Sequence, residues 1–161
     1  MSKIKELLIN NDSILVFDID GVLALMEMGD YNHYKLTDSE WNEACEKGIN
    51  YYDESVVCYK LVNFLKTRNM KNIYVITNVG SKNEGDFKKK FAKKYYNIPE
   101  ENVYFVDQYS QKKEELKKIK SLYSEIEDYQ IVMIDDTVEI LNDIMKNTDF
   151  STVHISSFLD I

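Results

Sequence analysis

The run ILVFDIDGVLA, Ile14–Ala24, constrains this chain more than any other stretch. Ile14–Ile19 is short, apolar and β-branched, as expected of a strand buried on both faces. Asp18 and Asp20 nevertheless fall at its end, followed by Gly21. Charge placed at the end of a buried strand is costly unless something offsets it. Any fold adopted by this chain must therefore bring compensating groups to that strand end.

Four further runs read as strands: Asn72–Thr77 (NIYVIT), Val103–Val106 (VYFV), Ile131–Ile134 (IVMI) and Val153–Ile155 (VHI). Helical stretches separate them. Ser55–Arg68 places Val57, Leu61, Phe64 and Leu65 on one face, and Gly85–Tyr96, Gln111–Tyr123 and Thr137–Lys146 are amphipathic too. Strand alternating with helix predicts an α/β fold, a doubly wound, Rossmann-like parallel sheet of about five strands. The 161 residues suit one domain with a single core. The segment Leu23–Asp53 is too long for a plain strand-to-helix loop and reads as an insert at the mouth of a site. It holds the turn Gly29-Asp30 and, over Thr37–Lys47, a short helix capped by Thr37 or Asp38.

The net charge is −8, which disfavours broad affinity for nucleic acid. Two stretches, Lys88–Lys94 (KKKFAKK) and Lys112–Lys120 (KKEELKKIK), are locally basic, and a solvated helix face is the expected role of most of these lysines. Cys45 and Cys58 have no metal-site spacing and fit free thiols in a reducing compartment. The segment Met1–Asn10 lacks the apolar core of a signal peptide, and no run approaches a membrane span. A cytoplasmic protein without a membrane partner is expected.

Ligands of open α/β sheets bind beyond the carboxyl ends of the strands. Those positions hold Asp18 and Asp20, Thr77 and Asn78, and Asp135 and Asp136. Four carboxylates in one crevice repel one another unless a hard divalent cation joins them. Mg²⁺ favours one or two carboxylates together with waters and substrate phosphate. An aspartate in such a place can act as nucleophile, and a second two residues on can act as general acid and base.

FDIDGVLA, then VITN, a lysine at a helix start and MIDD resemble, in that order, the haloacid dehalogenase (HAD) superfamily of phosphohydrolases. The resemblance runs from Ile14 to about Ile155 and implies a HAD-like core with a minimal cap at about 23–53. It implies a Mg²⁺-dependent phosphatase that hydrolyses a phosphomonoester through an aspartyl phosphate on Asp18. Asp20 matches the general acid and base, and its carbonyl a metal ligand. Thr77 matches the hydroxyl that binds phosphoryl oxygens, and Lys113 is taken as the lysine that neutralises Asp18 and the phosphate. Asp136 matches the direct metal ligand, with Asp135 supporting it.

Neighbouring residues leave alternatives open. Lys112 and Lys113 point about 100° apart on a helix, so only one can enter the crevice, and Lys117 is a third candidate. Asn78 either donates to phosphate or caps its loop. Glu139 either holds a metal-bound water or is a solvated first-turn residue, the reading favoured here. His154 is read as a satisfied strand residue and His33 as insert surface. Trp41 and the pair Tyr51-Tyr52 could stack a base, although packing of the insert is preferred.

A Trp-bearing insert followed by NYYDESVVCYKLVNFLK is similar to small phosphatases of phages and bacteria, related to the phosphatase half of polynucleotide kinase-phosphatases. That group carries arginines after the Thr motif and often after the aspartate pair, where this chain has Asn78-Val79 and Thr137. Loss of those cationic clamps argues against a nucleic-acid end as substrate. A phosphorylated small molecule or nucleotide is the expected partner. Tyr31, His33, Tyr34, Lys35 and Trp41 of the insert suit a bulky one. The alternatives are a nucleotidase or polynucleotide phosphatase, a phosphotransferase, or a non-catalytic HAD-like binding module.

Overall fold

The computed structural model describes residues 3–25 and 36–160. Its centre is a five-stranded, fully parallel sheet, with β1 (Ile14–Phe17), β4 (Ile73–Asn78), β5 (Val103–Val106), β6 (Ile131–Asp135) and β7 (Ser151–His154). Their spatial order is β5-β4-β1-β6-β7. This is the doubly wound α/β architecture expected from the alternating pattern. All four residues of β1 and all five of β6 are buried, consistent with their unbroken apolar runs.

Alternate residues of the central strands feed two cores. Leu15, Phe17 and Val75 face one side, under α3 (Tyr59–Leu65) and α4 (Lys82–Tyr96). Ile14, Val16, Tyr74 and Ile76 face the other, under α5 (Lys112–Ser121) and α6 (Val138–Asn147). In α6 the buried Ile140, Leu141 and Ile144 recur at helical spacing. The short α1 (Lys3–Ile9) was not anticipated; it buries Leu7 and Leu8 against the first core.

From β1 the chain moves outward to β4 and β5, then returns across β1 to β6 and β7. Strands β1 and β6 therefore flank the point at which the winding reverses. Their carboxyl ends carry Asp18, Asp135 and Asp136.

The described part of the insert is compact. Ala24–Leu25 (β2) pairs antiparallel with Val56–Val57 (β3), and α2 spans Asp38–Glu46. Thr37 and Glu40 cap α2 reciprocally, with Glu40 N–H 3.3 Å from Thr37 Oγ1. The predicted helix over Ser55–Arg68 is shorter than expected, because Val56 and Val57 are drawn into β3. Trp41 is 4% exposed, stacks on Tyr51 at 4.9 Å and meets Tyr52 edge-on at 5.9 Å. These aromatics pack the insert. Tyr31, His33, Tyr34 and Lys35 lie outside the described residues.

Candidate active site

The site begins where β1 gives way to a tight turn. Asp18 extends the ladder by donating its N–H to Ile134 O at 2.9 Å. Its Oδ1 accepts the N–H of Ile19 at 2.8 Å. The N–H groups of Val22, Leu23 and Ala24 then converge on the carbonyl of Ile19 at 3.1, 2.9 and 2.8 Å. Gly21 makes this turn with φ +73°, a conformation that L side chains rarely adopt. A Cβ there would stand 2.1 Å from Asp136 Oδ2, so the glycine also admits the neighbouring carboxylate.

β6 delivers the second half. Asp135 is fully buried, with Oδ2 2.7 Å from Lys112 Nζ and Oδ1 accepting the N–H of Thr137 at 2.9 Å. Asp136 is partly exposed, and Thr137 Oγ1 donates to its Oδ1 at 3.3 Å. His154 Nε2 lies 3.0 Å from the Asp136 carbonyl, while Ser156 N–H donates to His154 Nδ1 at 3.2 Å. Nδ1 therefore accepts, and the proton on Nε2 is given to Asp136 O. Oxygens of Asp18, Asp135 and Asp136 lie within 4.8 Å of one another.

Two buried lysines face these carboxylates. Lys112 Nζ is 3.0 Å from Asp18 Oδ2 and bridges Asp18 to Asp135. Sequence reasoning had taken Lys113 for this place; the structure corrects it to Lys112. Lys112 shares its helix face with the buried Leu116 and Ile119, four and seven residues on, so it turns inward. Lys113 points about 100° away and pairs with Asp143 of α6 at 3.0 Å. Lys117 pairs with Glu114 on the surface.

Lys88, the second lysine, was missed within KKKFAKK. It is 1% exposed, 2.8 Å from Asp20 Oδ2 and 3.0 Å from Glu84 Oε1. It also reaches Thr77 Oγ1 at 3.2 Å and the carbonyl of Asn78. Its place was marked by helical spacing, since Glu84, Lys88, Phe91 and Ala92 form one buried stripe of α4. Glu84 Oε2 accepts the N–H of Gly80 at 2.7 Å, tying the loop after β4 to the same pair. From the insert, Tyr52 O–H donates to Asp20 Oδ1 at 2.9 Å. Thr77 itself is buried, and Asn78 Oδ1 is buried with no hydrogen-bond donor among the described residues. Glu139 is exposed in the first turn of α6.

Five carboxylates thus face two buried ammonium groups. Burial pushes the Asp18 carboxyl above its ordinary range; Lys112 opposes this, and Asp135 adds to it. Burial also works against the charge on Lys112, but Asp18 and Asp135 outweigh it and raise its pKa. The residual negative charge and the hard oxygen donors of Asp18, Asp135 and Asp136, which lie within 4.8 Å of one another, suit a divalent cation. Asp136, which is partly exposed, and Asp18 would hold it, whereas Asp135 is fully buried between Lys112 and the Thr137 N–H. Next to Asn78, a cleft of about 430 Å³ opens between residues 79–86 and Phe105 and Asp107.

No family model matches the chain, and no curated protein matches it. Among solved structures it is similar to DsGPDH of Dunaliella salina, at 14% identity and a TM-score of 0.57. That likeness covers 94% of this chain and 25% of the other, so the chain spans about a quarter of that protein's length. At this identity the likeness shows the fold. No helix among the described residues is long and apolar enough to cross a membrane.

Proposed function

We propose that this chain is a HAD-type phosphohydrolase that uses a divalent cation, Mg²⁺ by its ligand chemistry, to hydrolyse a phosphomonoester. One observation carries the reading. A buried aspartate, Asp18, stands at the winding reversal with one oxygen on Lys112, while Asp20, two residues on, sits among Lys88, Tyr52 and the Thr77 hydroxyl. The DxDG, Thr and DD motifs that suggested the resemblance meet in this one crevice.

In this reading, Asp18 attacks phosphorus in line, and the bond from phosphorus to the leaving oxygen breaks. Asp20 supplies the proton that the leaving oxygen takes up. Water, deprotonated by Asp20, then attacks the aspartyl phosphate; the bond between phosphorus and Asp18 breaks, and inorganic phosphate leaves. Lys112 offsets charge on Asp18 and the transferred group, and Thr77 donates to a phosphoryl oxygen. Asp18 and Asp136 would hold the cation, which when bound adds positive charge against the phosphoryl oxygens. Tyr52 and Lys88 fix the carboxylate of Asp20, so the insert helps to place the proton carrier.

The test is release of inorganic phosphate from p-nitrophenyl phosphate. Turnover should require Mg²⁺ and be lost in Asp18→Asn and Asp20→Asn, both remaining folded. Wild-type protein without turnover across a broad phosphomonoester set would leave only a binding role.

A further inference from the structure

Of the aromatic residues that the sequence offered for stacking, Tyr52 reaches the site through its hydroxyl, on Asp20, with its ring buried. Trp41 and Tyr52 are 4% and 2% exposed and serve the packing of the insert. Among the described residues, an exposed aromatic ring beside the site is Tyr109, at 58% exposure. Lys112 Nζ lies over it, 5.8 Å from the ring centre, and the same ammonium is 3.0 Å from Asp18. After burial, Asp18 is the largest cause that raises the Tyr109 phenol, with Asp20 adding a smaller push, so the ring lies within their field.

Its backbone is fixed in advance. Tyr109–Gln111 form one 3-10 turn, and Gln111 Oε1 accepts the N–H groups of Asp107 and Gln108 at 2.9 and 3.1 Å. The turn packs against α6, whose first residue, Val138, is also exposed. A large ring carried on a preformed turn, half in solvent and one lysine away from the candidate nucleophile, spends little backbone ordering entropy when a ligand arrives. One face is occupied by a cation, and the exposed remainder is suited to a planar partner.

We propose that Tyr109 determines specificity by stacking on an aromatic ring in the leaving group of the substrate. The substrate class is then a phosphomonoester of an aromatic-bearing alcohol or phenol. This deepens the phosphohydrolase reading above and rests on it for the identity of the phosphate.

Binding and turnover separate the two ideas. Benzylphosphonate and cyclohexylmethylphosphonate are similar in size and differ in aromaticity, and neither can be hydrolysed at phosphorus–carbon by the proposed route. With Mg²⁺ present, calorimetry should show wild-type protein preferring the benzyl compound by about fivefold, the range of an aromatic pair. Tyr109→Phe should keep the preference. Tyr109→Leu should bring the two affinities within about twofold of each other, the low end of that range. The melting temperature of both variants should stay near wild type, since the ring is exposed. Equal wild-type affinities, or a preference that survives in Tyr109→Leu, would overturn the proposal. Failure of wild type to bind either phosphonate would overturn both readings. A ring preference without phosphate release from benzyl phosphate would support the subsite and refute the phosphatase reading alone.

Discussion

Gly21 and Asp136 meet across the winding reversal, so closely that a Cβ on Gly21 would sit 2.1 Å from Asp136 Oδ2. The glycine of the first motif and the second aspartate of the last are thus one steric unit. Gly21→Ala would impose φ +73° on an L residue, at about 1–2 kcal/mol. It would also turn the Asp136 carboxylate away from Asp18. We expect a stability loss of about 2 kcal/mol or more in urea unfolding and a much reduced rise in Tm on adding Mg²⁺. A variant that melts like wild type and responds fully to Mg²⁺ would show that this contact is unimportant.

Lys112 and Lys113 should behave as opposites. Lys112→Met leaves Asp135 buried without its cation and Asp18 without its partner. Removing one member of a buried pair costs about 3–5 kcal/mol, and phosphate release should fall to background. Lys113→Met removes a pair that is 25% and 41% exposed, worth at most about 1 kcal/mol. Denaturant midpoints and phosphate release on the two variants check this; equal effects would remove Lys112 from its assigned place.

Lys88 gathers four oxygens from Asp20, Glu84, Thr77 and Asn78. Lys88→Met should therefore destabilise by about 3–5 kcal/mol, through uncompensated Glu84 and Asp20. Glu84→Gln keeps the Gly80 N–H bond possible and should cost less, about 1–2 kcal/mol. If both variants fold and retain wild-type kcat, the Lys88 cluster serves the fold and has no part in placing Asp20.

Much of this was legible because burial dictates type. The strands β1, β4, β5 and β6 announced themselves as apolar runs, and charge at the ends of β1 and β6 marked the site. Thr77 and the aspartates were marked by their places at or just past the carboxyl ends of strands. The lysines were harder. A lysine reaching inward is written in the same letters as one reaching out, and only its phase relative to Leu116 and Ile119, or to Phe91 and Ala92, tells them apart. KKKFAKK hides Lys88 among four residues of its own kind. The two-residue strands β2 and β3 are held by contacts with each other and leave no periodic signal. Tyr109 carried no signal either, since its exposure depends on where β5 ends relative to Lys112.

The metal-free protein should be burdened by Asp18. Burial raises this carboxyl above its ordinary value of 3.8, against the pull of Lys112. A carboxyl with a higher pKa in the folded than in the unfolded chain contributes stability below the unfolded value. That contribution is lost as pH rises through the folded value. From about pH 4 upward, Asp18 therefore detracts increasingly from the stability of the metal-free fold. Asp18→Asn should relieve it and raise the metal-free Tm at pH 7. Mg²⁺ should reverse the order. At a hundred times its dissociation constant it adds about 2.7 kcal/mol to a protein that binds it only when folded. Wild type should gain that, Asp18→Asn far less, and Asp136→Ala almost none. Thermal melts between pH 4 and 8, with chelator and with Mg²⁺, decide it. A metal-free Asp18→Asn less stable than wild type at pH 7 would mean that Lys112 outweighs burial. A wild-type Tm indifferent to Mg²⁺ would mean that the three aspartates hold no cation.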